Sequence, residues 1–234
     1  MSPGPEPTAG GPAAPLAGMR LTYDAPPLNE PDLAADPLTQ FWRWLADAIN
    51  GGVTEPNAMT LATASADGEP SARTVLLKDV GPRGFTCYSD LASRKGLDLA
   101  ANPRAALVFP WLALQRQVVV LGDVEQVGRS EARLYFESRP TDSRVAAAAS
   151  TQSAVLASRA ALDAAVAALS AAHPDGAVPM PERWGGFVVH PTSVEFWQGR
   201  PHRLHDRLRY RLANPERLAA MDDASGWVLE RLSP

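Results

Sequence analysis

Apolar residues along this chain fall mostly into short alternating or continuous runs, and only in a few places at helical spacing. Leu38, Phe41, Leu45 and Ile49 stand three or four apart. Asp36-Pro37 ahead of them supplies an N-cap and a proline at the first helical position, so a helix is predicted from about Pro37 to Asn50. Beyond it the period changes. Ala58–Ala64 and Ser71–Lys78 flank the turn pair Asp67-Gly68 and read as a hairpin. Gly84–Ser89 follows the breaker Gly81-Pro82 as another strand, and Ser93–Ala101 reads as a short helix stopped at Asn102-Pro103. Ala105–Trp111 and the valine-rich Gln115–Val127 return to strand. Ser130–Ser138 is predicted helical, ending before Pro140, and the alanine-rich Ser158–Ala172 is the clearest helix by propensity. Gly186–His190 and Ser193–Gln198 read as a final pair of strands, with one more at Gly226–Leu232. Many short strands with turn punctuation and a few helices predict a mainly β (α+β) fold, a barrel-like antiparallel sheet with peripheral helices. No internal repeat or domain boundary is visible. Residues 1–18, almost all Pro, Gly, Ala, Ser and Glu, are expected to be a disordered tail, leaving 19–234 as a single domain.

Composition narrows the function. A chain of 234 residues, 45% hydrophobic and 21% charged, is long enough to bury a substantial core. A net charge of −4 argues against binding nucleic acid through bulk electrostatics. The single cysteine, Cys87, excludes an internal disulfide or a multi-cysteine zinc site, and in its apolar surroundings it reads as a packed strand residue. With no apolar run of membrane-spanning length and no signal peptide, a soluble cytoplasmic protein is expected, with no membrane partner.

The chemistry-bearing residues fall into three sets. Arg73 and Lys78 bracket one strand, Tyr88-Ser89 closes the next, and Ser93-Arg94-Lys95 opens a helix. Cations and hydroxyls at a helix N-terminus suit a phosphate, because free N–H groups and the dipole add to the ionic contacts. Tyr135 and Arg139 stand four apart and share a face if the next predicted helix persists to Arg139, with Ser143 expected on the loop after Pro140. A phenol, a guanidinium and a hydroxyl converging there suit a second phosphate. The third set joins Phe196-Trp197-Gln198-Gly199 to His202-Arg203-Leu204-His205-Asp206-Arg207. His202 and His205 have no third ligand nearby, so no metal is expected. No Rossmann glycine fingerprint, P-loop or nucleophile elbow is present. Taken alone, such sets are more often solvated caps, surface stacking contacts, core aromatics or ion-pair networks.

In order along the chain, these segments closely resemble the pyridoxine/pyridoxamine 5′-phosphate oxidase family. The resemblance rests on Arg73-Thr-Val-Leu-Leu-Lys78, Tyr88-Ser89 with Ser93-Arg94-Lys95, Phe109-Pro110-Trp111 and Arg116-Gln117-Val118. It continues through Tyr135-Phe-Glu-Ser-Arg139-Pro-Thr-Asp-Ser143, Gln152-Ser153, Trp184-Gly-Gly-Phe187, Glu195-Phe-Trp-Gln-Gly199 and His202-Arg-Leu-His-Asp-Arg207. It spans about Arg20 to Arg207. The departures are Ser89, where the family often has Thr, an Arg20-Leu-Thr-Tyr23 segment without paired arginines, and a longer tail after Arg207.

The resemblance implies a split β-barrel that forms a homodimer with FMN at the subunit interface. Carried over by motif, FMN contacts fall to Arg73, Thr74, Val75, Leu76, Leu77, Lys78, Tyr88, Ser89, Arg94, Lys95, Gln117, Gln152, Ser153, Trp197 and Arg207. Substrate contacts fall to Lys78, Tyr135, Arg139, Ser143, Arg203 and His205, with Arg20 to Tyr23 in a segment closing over the substrate. Arg203 and His205 are the implied catalytic pair. The implied reaction oxidises pyridoxine or pyridoxamine 5′-phosphate to pyridoxal 5′-phosphate, with O2 as acceptor. The rivals are a flavin oxidase for another aromatic substrate such as a phenazine precursor, a non-catalytic FMN or pyridoxal-phosphate carrier, and a deazaflavin- or haem-binding relative.

Overall fold

The computed structural model describes residues 18, 19 and 21–234. The expectations placed on residues 1–17 and on Arg20 lie outside the described residues. Helix α1 (Pro37–Asn50) runs where the spacing predicts, and Asp36 caps it by accepting the Thr39 N–H at 2.7 Å. Its buried face is Phe41, Trp44, Leu45 and Ala48, whereas Ile49, which the spacing placed on that stripe, is 58% exposed. Phe41 meets Phe85 and Phe109 edge-on at ring separations of 4.9 and 5.0 Å, and Trp44 meets Phe196 at 5.1 Å. These rings plug one face of the sheet. Each such side chain contributes about 1.5–3 kcal/mol through burial.

Nine antiparallel strands form the sheet. They are β1 (Ala58–Ala64), β2 (Pro70–Leu76), β3 (Asp79–Gly81), β4 (Gly84–Asp90), β5 (Arg104–Trp111), β6 (Arg116–Gln126), β7 (Trp184–Gln198), β8 (Asp206–Leu212) and β9 (Trp227–Leu232). The order is β2-β1-β5-β6-β7-β4-β3, with β8 and β9 continuing from β7. This is the half-barrel of a split-barrel fold, mainly β with five α-helices among the described residues. None of those helices is long and apolar enough to cross a membrane.

The strand predicted to reach Lys78 ends at Leu76. There the chain leaves β1: the Leu77 N–H donates to Asn57 and the Lys78 N–H to Thr86 of β4. The two strands predicted at Gly186–His190 and Ser193–Gln198 are one, β7. Pro191 does not break it, because β7 changes partner there: residues 184–189 pair with β4 and residues 193–198 with β8. On the opposite edge β6 runs along nearly all of β7, with a bulge at Leu121/Gly122. Gly122 is required at that bulge, since a Cβ there would lie 2.3 Å from the His190 carbonyl oxygen. Strands β3 and β8 have no counterpart in the sequence reading.

The helices cover the ends of the sheet. α2 (Arg94–Ala101) is capped by Ser93, and α3 (Arg129–Ser138) packs Phe136 on Trp184 and Val188. After Pro140 the chain does not enter a loop, as the spacing suggested, but a further helix, α4 (Thr141–Ala149). Proline is tolerated at a helix start, and Val145 and the alanines after it favour helix. α5 (Arg159–Ala172) lies against α4, with none of its residues fully buried.

Candidate active site

The first and second sequence sets converge on one cleft of about 630 Å³ lined from β2, β4, α2, α3, α4 and the 150–153 loop. A second hollow of about 690 Å³ shares Tyr88, Ser89, Arg139, Ser143, Gln152 and Trp184 with it, and reaches α5. β2 is an edge strand, paired only with β1, so its outer side is open to this cleft.

Arg73 is held rigidly. Its guanidinium donates to the Leu61 carbonyl (3.0 Å), Thr63 Oγ1 (2.8 Å) and Ser71 Oγ (2.6 Å), with Asp98 3.9 Å away. Asp98 is a buried hub that also accepts from Thr63 and Ser71 at 2.7 Å and from Arg94 Nε at 3.1 Å. Burial alone raises a carboxyl pKa, but these hydrogen bonds outweigh it and hold Asp98 below its ordinary value. Beside it Lys95 is 6% exposed, and its ammonium donates to Gln152 Oε1 (2.8 Å), Ser89 Oγ (3.0 Å) and Ser93 Oγ (3.3 Å). All three acceptors are neutral. Burial, then the Arg73 charge, lowers the Lys95 pKa. The Arg94 N–H at the start of α2 meets Ser153 Oγ at 3.1 Å, and Ser153 holds a left-handed φ of 71°.

The other wall of the cleft is aromatic and cationic. Tyr88 and Tyr135 stack at 3.9 Å with an 11° interplanar angle, and burial first of all raises the Tyr88 phenol to about 12. Arg139 follows the last turn of α3, its guanidinium 4.4 Å over the Trp184 ring. Its buried nitrogen Nη1 has no hydrogen-bond partner among the described residues, and burial disfavours the guanidinium's charge. Ser143 stands in the first turn of α4, so Arg139 and Ser143 flank a short Pro140 corner rather than a loop. Thr74, Val75, Leu76 and Lys78 line the same cleft, whereas the Leu77 side chain turns into the core.

The third set lies in a separate cleft of about 530 Å³. Trp197, Tyr23 and His205 pack there, with ring separations of 5.8 Å (Tyr23–Trp197), 5.7 Å (Tyr23–His205) and 4.6 Å (Trp197–His205). His205 Nδ1 accepts the Arg200 N–H at 3.1 Å. Burial, then the Arg203 charge, lowers its pKa, with Asp206 opposing. His202 and Arg203 hold consecutive left-handed φ values of 57° and 64°, a backbone cost of order 1–3 kcal/mol each that clusters at functional sites. Gln117, Trp197 and Arg207 share one register row across β6, β7 and β8. Gln117 and Arg207 line neither cleft, and Arg207 is engaged by Glu195 at 2.7 and 3.0 Å. One chain therefore presents the sequence-predicted residues as two groups on two surfaces.

Four residues that shape these surfaces escaped the sequence reading. Asp98 was legible, four residues after Arg94 on α2. Gln115, at φ 55°, accepts the Asp24 and Ala25 N–H groups and its own carbonyl accepts from Gly199, which ties Tyr23's segment to Trp197's loop. Asp90 and Arg183 join elements 93 residues apart. No local pattern announces these last three.

Residues 45–173 match the family model described as pyridoxamine 5′-phosphate oxidase, and residues 184–234 match the pyridoxine 5′-phosphate oxidase C-terminal dimerisation region. A pyridoxine/pyridoxamine 5′-phosphate oxidase of Thermosynechococcus vestitus is 55% identical over 196 residues, 84% of this chain and 92% of that one. Its counterpart in Salinispora arenicola is 50% identical over 226 residues, 96% of this chain and 98% of that one. Among solved structures, PhzG from Burkholderia lata in complex with tetrahydrophenazine-1-carboxylic acid superposes with a TM-score of 0.80 at 31% identity, covering 91% of this chain and all of that one.

Proposed function

The chain belongs to the pyridoxamine 5′-phosphate oxidase family, and from that premise we propose that it oxidises pyridoxine or pyridoxamine 5′-phosphate to pyridoxal 5′-phosphate, using FMN and O2. The observation that carries this reading is the pair of anion-ready clusters in one cleft. Lys95 is a buried ammonium bonded only to neutral oxygens, beside the N-terminus of α2. Arg139 is a second, half-buried cation, with a buried nitrogen that no described residue satisfies. A buried charge without an opposite charge is costly, and a phosphate relieves it. The donor set around Lys95 therefore fits the FMN phosphate, and that around Arg139 and Ser143 fits the substrate phosphate.

In this reading Arg73, Ser89, Arg94, Lys95, Gln152 and Ser153 hold the FMN phosphate, while the backbone of Thr74 to Lys78 and the side chains of Gln117, Trp197 and Arg207 border the rest of the cofactor. FMN, when bound, supplies the hydride acceptor and passes its electrons to O2, giving H2O2. Pyridoxine phosphate thereby yields the aldehyde directly, and pyridoxamine phosphate yields aldehyde and NH3 with uptake of one water. Lys78, Tyr135, Arg139 and Ser143 anchor the substrate phosphate and fix the ring's position, a contribution of several kcal/mol to lowering the barrier. Arg203, always cationic, supplies electrostatic orientation at the reacting carbon. His205, whose pKa burial and the Arg203 charge lower, is positioned to take up or release a proton there. Tyr23 packs on His205 as part of the segment over the substrate.

The two groups of residues lie on two surfaces of one chain, and the C-terminal region matches a dimerisation region. We therefore place FMN at a homodimer interface, with the Trp197–His205 group of one copy completing the Lys95–Arg139 cleft of the other. The likeness to PhzG favours a second reading, a flavin oxidase for a carboxylated aromatic ring that would use the same cations. Identity of 50–55% to relatives named as the phosphate oxidase, against 31%, supports the first. The test compares pyridoxine 5′-phosphate with unphosphorylated pyridoxine. The reading expects aldehyde from the former and little from the latter, and equal rates would overturn the role of the Arg139 cluster.

A further inference from the structure

The phosphate cradle around Lys95 is assembled from parts distant in sequence, and one side chain outside it joins them. Arg183, just before β7, donates through Nη2 to the carbonyls of Ala147 (3.1 Å), Ala148 (2.8 Å) and Ser150 (2.7 Å). These are the unsatisfied acceptors at the C-terminus of α4, where a cation also meets the negative end of the helix dipole. Its Nε donates to Asp90 Oδ2 at 2.8 Å. Asp90 is 7% exposed and stands at the corner between β4 and α2, where its other oxygen accepts the Ala92 N–H at 2.8 Å. Its main-chain carbonyl accepts both the N–H and the hydroxyl of Ser93, the cap of α2. The Leu91 N–H in turn donates to the Arg183 carbonyl at 2.7 Å. The corner leaves no slack, since a Cβ on Gly96 would lie 2.1 Å from the Leu91 carbonyl oxygen.

We propose that Arg183 is a positioning residue for the anion cradle, clamping the end of α4 to the β4–α2 corner so that Gln152 and Ser153 stand against Lys95 and the first N–H of α2. The chain of contacts is continuous. On one side of the clamp are Ser89, Ser93, Arg94 and Lys95. On the other is the 150–153 loop, whose Gln152 Oε1 meets Lys95 Nζ at 2.8 Å and Ser89 Oγ at 3.0 Å. Ser153 is held in a left-handed conformation to face Arg94. Without the clamp this loop keeps those cradle contacts and one long bond from the Gln152 N–H to Asp90 Oδ2 (3.5 Å), and ordering it would then draw on the binding energy of the ligand. Arg183 touches neither anion-binding nitrogen, so it acts through the loop it fixes.

The inference rests on the FMN reading, and the test separates the two. FMN and riboflavin affinities are measured by flavin fluorescence on wild type, Arg183→Met and Arg183→Lys, together with the melting temperature of each apoprotein. The clamp acts only at the phosphate, so Arg183→Met is expected to weaken FMN binding about tenfold, the effect of misplacing one or two charge-assisted hydrogen bonds, while riboflavin affinity changes less than about twofold. Arg183→Lys keeps the ion pair with Asp90 but not the fork onto three carbonyls, and is expected to fall between; it also carries the test if the Met variant fails to fold. Equal losses of FMN and riboflavin affinity, or unchanged FMN affinity, would overturn the positioning role. A wild-type protein that binds FMN no more tightly than riboflavin would instead overturn the phosphate-cradle reading beneath it.

Discussion

Lys95→Met separates a ligand-binding cation from a structural one, because the first role moves FMN affinity and the second moves apoprotein stability. In the free protein the Lys95 ammonium is buried against Gln152, Ser89 and Ser93 oxygens, and its pKa is lowered first by that burial and then by Arg73. Each hydrogen bond from the charged group is worth about 1.5–3 kcal/mol at most in net terms, and desolvation of an ammonium without a counter-ion offsets much of it. Methionine has similar length and leaves no orphan behind. Ser89 still donates to Gln152 Oε1, and Ser93 Oγ still accepts from Gly96. The apoprotein is thus expected to keep its stability within about 1 kcal/mol. With FMN present, the substitution removes one charge-assisted contact to phosphate, about 1.5–3 kcal/mol, which corresponds to an FMN affinity roughly 10- to 150-fold weaker. Fluorescence quenching of FMN gives the affinity, and melting curves with and without FMN give the stability; the stabilisation by saturating FMN should shrink by the same free energy. Undiminished FMN affinity, or an apoprotein that loses several kcal/mol, would instead make Lys95 a structural cation.

Other consequences of the geometry are as direct. Arg139→Ala should raise the Michaelis constant for the phosphorylated substrate about 10- to 100-fold, the effect of one charged hydrogen bond, with FMN retained; released flavin would mean the two phosphate sites are exchanged. Arg203→Ala should cut turnover on the order of 100-fold with FMN still bound, as loss of a preorganised charge does, and unchanged turnover would remove its role. His205 has a lowered pKa from burial and the Arg203 charge. By NMR its ring should therefore protonate below the ordinary value of about 6.5, and Arg203→Gln should move that midpoint upward. A midpoint that does not move would show that Arg203 does not act on His205. The Cys87 thiol, pushed up to about 11 by burial, should resist alkylation at pH 8 until the protein unfolds, and rapid labelling of the native protein would contradict its packing.

What the sequence disclosed follows the range of the forces involved. The first helix was legible because its cap, Asp36, and its buried stripe lie within one stretch of chain. The hairpin of β1 and β2 was legible because Asp67-Gly68 sits between two strand-like runs. β7 was misread as two strands, because Pro191 is a breaker by local rules and only the change of neighbour from β4 to β8 makes it harmless. Ser143 was misplaced for a related reason. Pro140 ends one helix and begins the next, and sequence shows the ending more plainly than the restart. Of the site, the cations and hydroxyls at strand and helix ends were readable in kind. Their partners were not: Tyr135 stacks on Tyr88 of β4 and Arg139 on Trp184 of β7, neighbours that helical spacing does not reveal. Glu195, 12 residues before Arg207, holds that arginine in the free chain, a pairing that only the register of β7 with β8 creates.

The most direct test of the central claim is oxygen uptake by the purified, FMN-loaded protein supplied with pyridoxamine 5′-phosphate. One O2 consumed and one H2O2 and one NH3 released for each pyridoxal 5′-phosphate formed is the expected result. A protein that binds FMN yet consumes no oxygen with either phosphorylated vitamer would contradict it and point to a carrier or to an oxidase for another ring.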